Sequence, residues 1–298
     1  MRDSLKQLIS SAIVFEYSLP HGATPKVTAA NVPDRCYRNH TSSDDIKELI
    51  YNGLIDYGIE ESKIDITRLN PLHKLVLTTK LRYDENATLD SKVKYGFYGE
   101  VLLYLMIQHF YGASTLISRG YFYNPLERSE TKGYDTYQIR YKENTKEIEL
   151  WFGEVKFYGN YTEAVKKIFE NIDKALSDDY LSLNFKAFVN HSEKFDPDSI
   201  PGKIVQQIID NPDVVISDLL CQNHMMLMYP ALLICDDKDI PYDDIIKEIV
   251  DHINDKYTAI HPELSMPYNF FFVILPVHDS KAIKNDVIKW INSNHPLI

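Results

Sequence analysis

One short stretch constrains the fold of this chain more than any other. Residues 148–158 read IELWFGEVKFY, and a run so rich in β-branched and aromatic residues is typical of a central β-strand. Side chains alternate between the two faces of a strand, so Glu154 and Lys156 lie next to each other on a largely apolar face. Buried charges are costly unless they are paired or bind a metal ion. The stretch therefore predicts either a plain ion pair or a chemically active site.

The chain on either side of this strand predicts an α/β fold. From residue 93 onward the predicted elements are a helix at 93–111, strands at 115–123, 136–141 and 148–158, a helix after Gly159, a helical insertion at about 179–229, a strand at 231–235, a helix at 242–257, a strand at 269–277 and a helix at 280–292. That order is typical of a mixed central sheet flanked by helices. The earlier residues give a weaker pattern, with strands at 14–19 and 75–81 around a helix that begins near Ser43. We therefore predict an N-terminal α+β region over residues 1–90 and a main domain over residues 91–298.

The distribution of charge limits what the protein can bind by itself. The 298 residues carry a formal net charge of −11, whereas proteins that bind nucleic acids are usually basic. Residues 119–174 contain 10 Lys and Arg and 10 Asp and Glu, so the acidic excess lies outside the segment around the strand. This distribution permits a surface that faces phosphate groups. We expect nucleic-acid binding to depend in part on metal ions or on a partner subunit.

Cysteine content and hydropathy predict a cytoplasmic protein without a membrane partner. The three cysteines have no paired spacing, which is typical of a reducing compartment and argues against disulfides or a zinc site. No apolar run is long enough to span a bilayer, and the first residues lack the pattern of a signal peptide. The histidines of residues 1–90 form no ligand set, and we expect them on the surface or in loops: His21, His40 and His73.

Two further carboxylates fall where they can join Glu154 and Lys156. Glu100 lies along an apolar stripe of the helix predicted at 93–111, although a side chain that simply reaches water is the plainer alternative. Asp135 lies where a loop enters the strand that precedes residues 148–158. A hairpin turn centred near residues 144 and 145 places Asp135 beside Glu154.

These four side chains together suit the hydrolysis of a phosphodiester. Carboxylates that gather at one edge of a sheet repel each other and favour a divalent cation, and Mg²⁺ prefers oxygen ligands. A neighbouring lysine can orient water and stabilise negative charge on a phosphate. The alternative is a degenerate site without catalytic activity, but a scaffold has little reason to keep four charges in apolar surroundings.

The order of these residues resembles the PD-(D/E)XK nuclease superfamily. The shared features are a helix glutamate, then an aspartate at a strand start, then Glu-x-Lys on the next strand. The resemblance implies a restriction-endonuclease-like core, with Asp135 and Glu154 as metal ligands, Lys156 as the catalytic lysine and Glu100 as an accessory acid that also faces the metal. It also implies Mg²⁺ as cofactor, with Mn²⁺ as a substitute. One departure is that Tyr134, rather than the proline of the motif's name, precedes Asp135.

Three longer blocks resemble the HamA family of the Hachiman anti-phage defence system. They read YGFYGE at 95–100, GYD at 133–135 and WFGEVKFY at 151–158. This resemblance implies a metal-dependent DNA endonuclease, the effector of a defence complex, that acts on DNA with a HamB-like helicase as partner. We also expect residues 1–90 to serve in partner docking, because they lie outside the predicted nuclease core. A non-catalytic scaffold subunit and a nuclease of DNA repair or restriction remain the alternatives.

Overall fold

The computed structural model describes residues 1–16, 36–40, 43–117, 123–124, 129–130, 133–257 and 259–298. Within them, the α-helices are α1 Asp3–Ala12, α2 Ser43–Gly58, α3 Leu69–Leu75, α4 Leu89–Lys92, α5 Phe97–Tyr111, α6 Tyr161–Ala175, α7 Asp178–Val189, α8 Ile200–Asp210, α9 Ile216–Gln222, α10 Tyr242–Tyr257 and α11 Ser280–Ser293. The strands are β1 Ile13–Glu16, β2 Cys36–His40, β3 Ser114–Thr115, β4 Tyr123–Asn124, β5 Ser129–Glu130, β6 Thr136–Lys142, β7 Glu147–Phe157, β8 Met225–Asp236 and β9 Tyr268–Val277.

A mixed seven-stranded sheet forms the centre of the fold, in the order β1-β2-β9-β8-β7-β6-β3. The four strands β2, β9, β8 and β7 run parallel to one another, while β6 is antiparallel to β7 and β1 is antiparallel to β2. Strand β7 thus lies inside the sheet, as its apolar sequence predicts. The prediction of a mixed sheet flanked by helices is confirmed.

Helices cover both faces of this sheet, and β7 contributes side chains to both cores. Trp151, Val155 and Phe157 join a core that includes buried residues of α1, α2, α5 and α11. Leu150 and Phe152 join a second core with residues of α6 to α10. Burial on both faces explains why the strand is apolar along most of its length.

The N-terminal residues share the sheet and the first core with the rest of the chain. Strand β2 pairs with β9, and α2 packs against both α5 and α11. The predicted boundary near residue 90 therefore marks a change in the sequence pattern, while elements before and after it pair and pack with one another. The strand predicted at 14–19 is present as β1, while residues 17–19 lie outside the described part of the chain.

The strand predicted at 75–81 is wrong, because α3 continues there into a π-helical turn, Val76–Lys80. Short apolar runs fit a buried strand or a buried helical turn equally well in sequence. Here Val76 packs against α2, since a Cβ placed on Gly58 would lie 2.7 Å from the Val76 Cγ1 atom. His73 is also buried, with 6 % of its surface exposed, so the expected surface position is wrong for this histidine. His21 lies outside the described residues, and of His40 only the backbone, in β2, is described.

The predicted helical insertion is shorter than expected. Helices α7, α8 and α9 fill it as far as Gln222, but β8 already begins at Met225. Methionine favours helices by itself, and burial between β7 and β9 overrides that preference in β8. Of the strand predicted at 115–123, the structure places Thr115 in β3 and Tyr123 in β4, while residues 118–122 are outside its description. None of the described helices is both long enough and apolar enough to cross a bilayer.

Candidate active site

The β6–β7 hairpin brings Asp135 and Glu154 together. Thr136 pairs with Gly153, so the turn is centred between residues 144 and 145 and the predicted register is confirmed. The Asp135 N–H donates to the Gly153 carbonyl oxygen at 2.9 Å. The Asp135 Oδ2 atom accepts a 2.8 Å hydrogen bond from the Val155 N–H. The aspartate is thereby fixed at the mouth of the hairpin, opposite Glu154.

Glu154 and Lys156 form an ion pair on β7. The Lys156 Nζ atom donates to Glu154 Oε1, and both side chains are mostly buried, with 17 % and 14 % exposed. Burial by itself would lower the pKa of Lys156, but the Glu154 and Asp135 carboxylates outweigh it and raise that pKa above its ordinary value. Lys156 is therefore a protonated cation at neutral pH.

Glu100 reaches the same region from α5, across the close contact between that helix and β7. A Cβ placed on Gly99 would lie 2.7 Å from the Val155 Cγ2 atom, so a glycine here allows the helix to approach the strand. The Glu100 side chain is 6 % exposed, and its Oε2 atom accepts a 2.7 Å hydrogen bond from the hydroxyl of Tyr57. The plainer alternative, a glutamate that extends into water, is excluded by this burial.

The three carboxylates act on one another electrostatically. The pKa of Asp135 is raised well above its usual range, first by burial and then by the negative charges of Glu154 and Glu100. The positive charge of Lys156 and the hydrogen bond from Val155 act in the opposite direction. A buried aspartate that is destabilised by two other acids is in the environment that a bound cation would relieve.

A cavity of about 510 Å³ lies at the carboxyl end of β7 and contains most of these groups. Its wall includes Glu100, Asp135 and Lys156, while Glu154 is outside the lining residues and borders it through Lys156. The remaining lining comes from three places, namely residues 93–99, residues 155–159 and the first turns of α11. The structure thus brings all four predicted residues to one place, with three of them in the cavity wall.

The carboxylates of the site are the right type of ligand for a divalent ion, although their oxygen atoms do not surround a common position. Asp135, Glu154 and Glu100 supply carboxylate oxygens, the ligand type that Mg²⁺ prefers. They are not among the groups of His, Cys, Asp and Glu whose ligand atoms lie within 4.8 Å of one another in the described residues. Glu154 is held by Lys156 and Glu100 by Tyr57. Metal binding would therefore require Glu154 to exchange part of its contact with Lys156 for the ion.

Several residues of this region were missed in the sequence. Tyr57 lies 43 residues before its partner Glu100, and three lysines of the cavity wall come from α11 and from the segment before α5: Lys94, Lys281 and Lys284. The spacing of Lys281 and Lys284 on one helix face is the one signal that the sequence offers for them. A second possible ligand group, Asp237, Asp239 and His278, lies mostly exposed on the surface after β8 and β9. None of its three residues lines the cavity.

The fold and the cavity define a class of protein: a mixed α/β protein in which a hairpin and a helix place three carboxylates and a lysine around one site. The family model described as HamA matches residues 23–291. The chain therefore belongs to the HamA family, which associates it with Hachiman defence and confirms the resemblance of the three sequence blocks. No curated protein matches the chain significantly.

Proposed function

We propose that this protein is a metal-dependent deoxyribonuclease with a PD-(D/E)XK-like core and that it is the effector of a Hachiman defence complex with a HamB-like helicase. The observation that carries the proposal is the hairpin register that sets Asp135 opposite Glu154, two residues before Lys156. Glu100 faces the same cavity from α5. Family membership supports the defence role, and the acidic net charge of −11 fits a subunit that relies on a partner for part of its contact with DNA.

In this mechanism Asp135 and Glu154 hold Mg²⁺, or Mn²⁺ in its place, and Glu100 adds negative charge at the edge of the site. When bound, the ion supplies positive charge that stabilises the phosphoryl group as negative charge develops on it. A water oxygen forms a bond to phosphorus as the bond from phosphorus to the leaving sugar oxygen breaks. The proton that water loses passes to solvent, and the leaving oxygen takes one up.

Lys156 acts here as a cation and not as a general base. Before a metal ion binds, the Glu154 and Asp135 carboxylates raise the pKa of Lys156 and favour its protonated form. An ammonium group has protons to donate and no free electron pair. It can donate hydrogen bonds to the attacking water or to a phosphate oxygen, and it holds Glu154 in place before the metal binds. Low exposure strengthens these interactions, because the surroundings screen them less than bulk water does.

The test uses purified full-length protein with plasmid DNA and Mg²⁺. We expect Glu154→Gln and Lys156→Met to reduce DNA degradation by at least about 100-fold, in the range found when a charge-stabilising group is removed. EDTA should abolish degradation by the wild type. The matched control is Glu147→Gln, at the exposed start of the same strand, which should retain activity. Undiminished cleavage by Glu154→Gln or Lys156→Met, with the fold intact by circular dichroism, would overturn the mechanism.

A non-catalytic scaffold is the second candidate, and one observation favours it. Glu154 is engaged by Lys156, as in a plain ion pair, and the three acids are not collected within 4.8 Å. A scaffold would leave DNA intact with Mg²⁺ or Mn²⁺, both alone and with the helicase subunit. A repair or restriction nuclease would cleave DNA but would lack a neighbouring helicase gene.

A further inference from the structure

The cavity that contains the candidate catalytic residues is basic, although the protein is acidic. Its wall contains four lysines and two carboxylates, Glu100 and Asp135, and Glu154 borders it as the partner of Lys156. These groups sum to a formal charge of +1 in a chain whose net charge is −11. The lysines are Lys94, Lys156, Lys281 and Lys284. A concave surface with a net positive charge concentrates anions, so the lysine side of this cavity favours an anion.

Lys284 is held in place by two contacts with Phe157. Its Nζ atom donates a 2.8 Å hydrogen bond to the carbonyl oxygen of Phe157 and lies 4.5 Å from the centre of the Phe157 ring. Neighbouring side chains of a strand point to opposite faces, so Lys284 reaches the end of β7 from the Phe157 side, and both it and Lys156 line the cavity there. An ammonium group has three N–H donors, so one hydrogen bond to a neutral carbonyl leaves donors available for a ligand.

The cavity lysines other than Lys156 have no ion pair within the described part of the chain. No described carboxylate oxygen lies within 4.0 Å of the amines of Lys94, Lys281 or Lys284, whereas Lys156 pairs with Glu154 and Lys289, further along α11, pairs with Asp286. Burial lowers the pKa of Lys284 to about 8, and the charge of Asp236 acts against that effect. A partly buried cation attracts a neighbouring anion more strongly than a cation in bulk water does, because the surroundings screen the charge less.

The lysines, and not the end of the helix, supply this positive charge. The first turn of α11 is already capped, because Asp279 accepts a 2.8 Å hydrogen bond from the Ala282 N–H and Asp236 accepts one of 2.7 Å from the Ser280 N–H. The free N–H groups that would otherwise bind an anion at a helix start are thus partly used. Lys281 and Lys284 project from that turn into the cavity wall.

We propose that Lys281 and Lys284 form a binding site for a backbone phosphate of DNA, next to the phosphate on which Glu154 and Lys156 act. This assignment rests on the proposed nuclease function and adds the residues that position its substrate. The site takes a phosphodiester through charge and hydrogen bonds, so it selects for the backbone and not for base sequence.

The experiment measures DNA binding without cleavage, with the full-length protein in EDTA and fluorescently labelled duplex DNA at several KCl concentrations. Lys284→Met keeps an unbranched apolar side chain against Phe157 and removes the charge. Lys281→Met provides a second variant at an exposed position, where folding is not at risk. We expect each to weaken binding about 5- to 10-fold and to reduce the slope of log Kd against log salt by about 0.9, the value for one lost phosphate contact. Lys289→Met, on the same helix but outside the cavity, should leave affinity and slope unchanged.

Each outcome decides the assignment. If both cavity variants bind DNA with the affinity and slope of the wild type, the site is wrong, and the nuclease proposal stands on its own if Glu154→Gln has lost cleavage. A parallel titration with inorganic phosphate separates the two sources of phosphate: if free phosphate binds through Lys281 and Lys284 while DNA affinity does not depend on them, the assignment to DNA is wrong. If the wild type neither binds nor degrades DNA, both alone and together with the helicase subunit, both proposals fall.

Discussion

The hydroxyl group of Tyr57, on α2, donates a 2.7 Å hydrogen bond to the buried Oε2 atom of Glu100, on α5. This contact links the N-terminal part of the chain to the candidate active site. A carboxylate loses its hydrogen bonds to water when it is buried, and hydrogen bonds within the protein must replace them to offset the cost in free energy. The N-terminal residues therefore help to hold the Glu100 side chain in place.

Tyr57→Phe tests this contact. Loss of one hydrogen bond to a buried charged group should lower the free energy of unfolding by about 1–3 kcal/mol and should reduce Mg²⁺-dependent DNA degradation. Urea denaturation and the plasmid assay measure the two effects. Tyr141→Phe, at an exposed position of β6, is the control and should change neither. A Tyr57→Phe protein with wild-type stability and activity would show that Glu100 does not need this donor.

Gly99→Ala tests the close packing of α5 on β7. The added Cβ would lie 2.7 Å from Val155 Cγ2 and 3.4 Å from Val155 Cγ1, and a β-branched side chain cannot rotate freely to avoid it. We expect a loss of about 1–3 kcal/mol in the free energy of unfolding, as for other overpacked cores.

The control for this prediction is the double variant Gly99→Ala with Val155→Ala. Because the second change removes the atoms that clash, the two variants should not be additive. The double variant should be less destabilised than the sum of the two single variants. Additive effects would place the cost of Gly99→Ala elsewhere, such as in the helix itself.

Glu149 is a buried acid on β7 whose role we predict to be structural. It is 2 % exposed, its Oε2 atom accepts a 3.0 Å hydrogen bond from Trp151 Nε1, and its Oε1 atom lies 2.5 Å from the Lys142 amine. Its cationic partners, Lys142 and Arg140, have 34 % and 39 % of their side chains exposed, so water can solvate them when the acid is lost. The buried Trp151 N–H would be left without an acceptor, which costs about 1–3 kcal/mol. Glu149→Ala should therefore lose about 1–3 kcal/mol in urea denaturation, whereas Glu147→Ala, half-exposed on the same strand, should lie within about 0.5 kcal/mol of the wild type.

His73 gives the protein a defined sensitivity to acid. Burial lowers its pKa to about 4, and its Nε2 atom lies 3.1 Å from the Tyr51 carbonyl oxygen. The unfolded chain binds a proton near pH 6.5, and the folded protein does so only near pH 4, so acid favours the unfolded state in between. The stability present above pH 6.5 should fall by about 2 kcal/mol at pH 5 from this residue alone.

Urea denaturation at pH 7 and at pH 5 measures this effect. His73→Gln keeps a side-chain N–H donor and does not titrate, so the difference in stability between the two pH values should shrink by about the same 2 kcal/mol. An equal pH dependence in the variant and the wild type would assign the acid sensitivity to other groups.

Much of the candidate site follows from short-range rules. The register of the β6–β7 hairpin comes from the position of its turn, and it puts Asp135 opposite Glu154 as the sequence predicts. Burial of β7 on both faces follows from its composition. By contrast, the 75–81 segment is helical and β8 begins earlier than predicted. The local sequence of each segment fits both a helix and a strand. Packing against α2 selects the helix in the first case, and pairing with two parallel strands selects the strand in the second.

The sequence by itself determined the α/β class, the central strand, the hairpin that aligns Asp135 with Glu154 and Lys156, and the family of the chain, because these depend on backbone geometry and on patterns read along the chain. Only the tertiary structure decided that Tyr57 binds Glu100 from 43 residues away and that Lys284 binds Phe157 from 127 residues away. It also gave two acids of β7 different surroundings: Glu149 is buried and paired with Lys142, whereas Glu154 lies beside the cavity. Such contacts depend on how distant elements pack, and no local pattern encodes that packing.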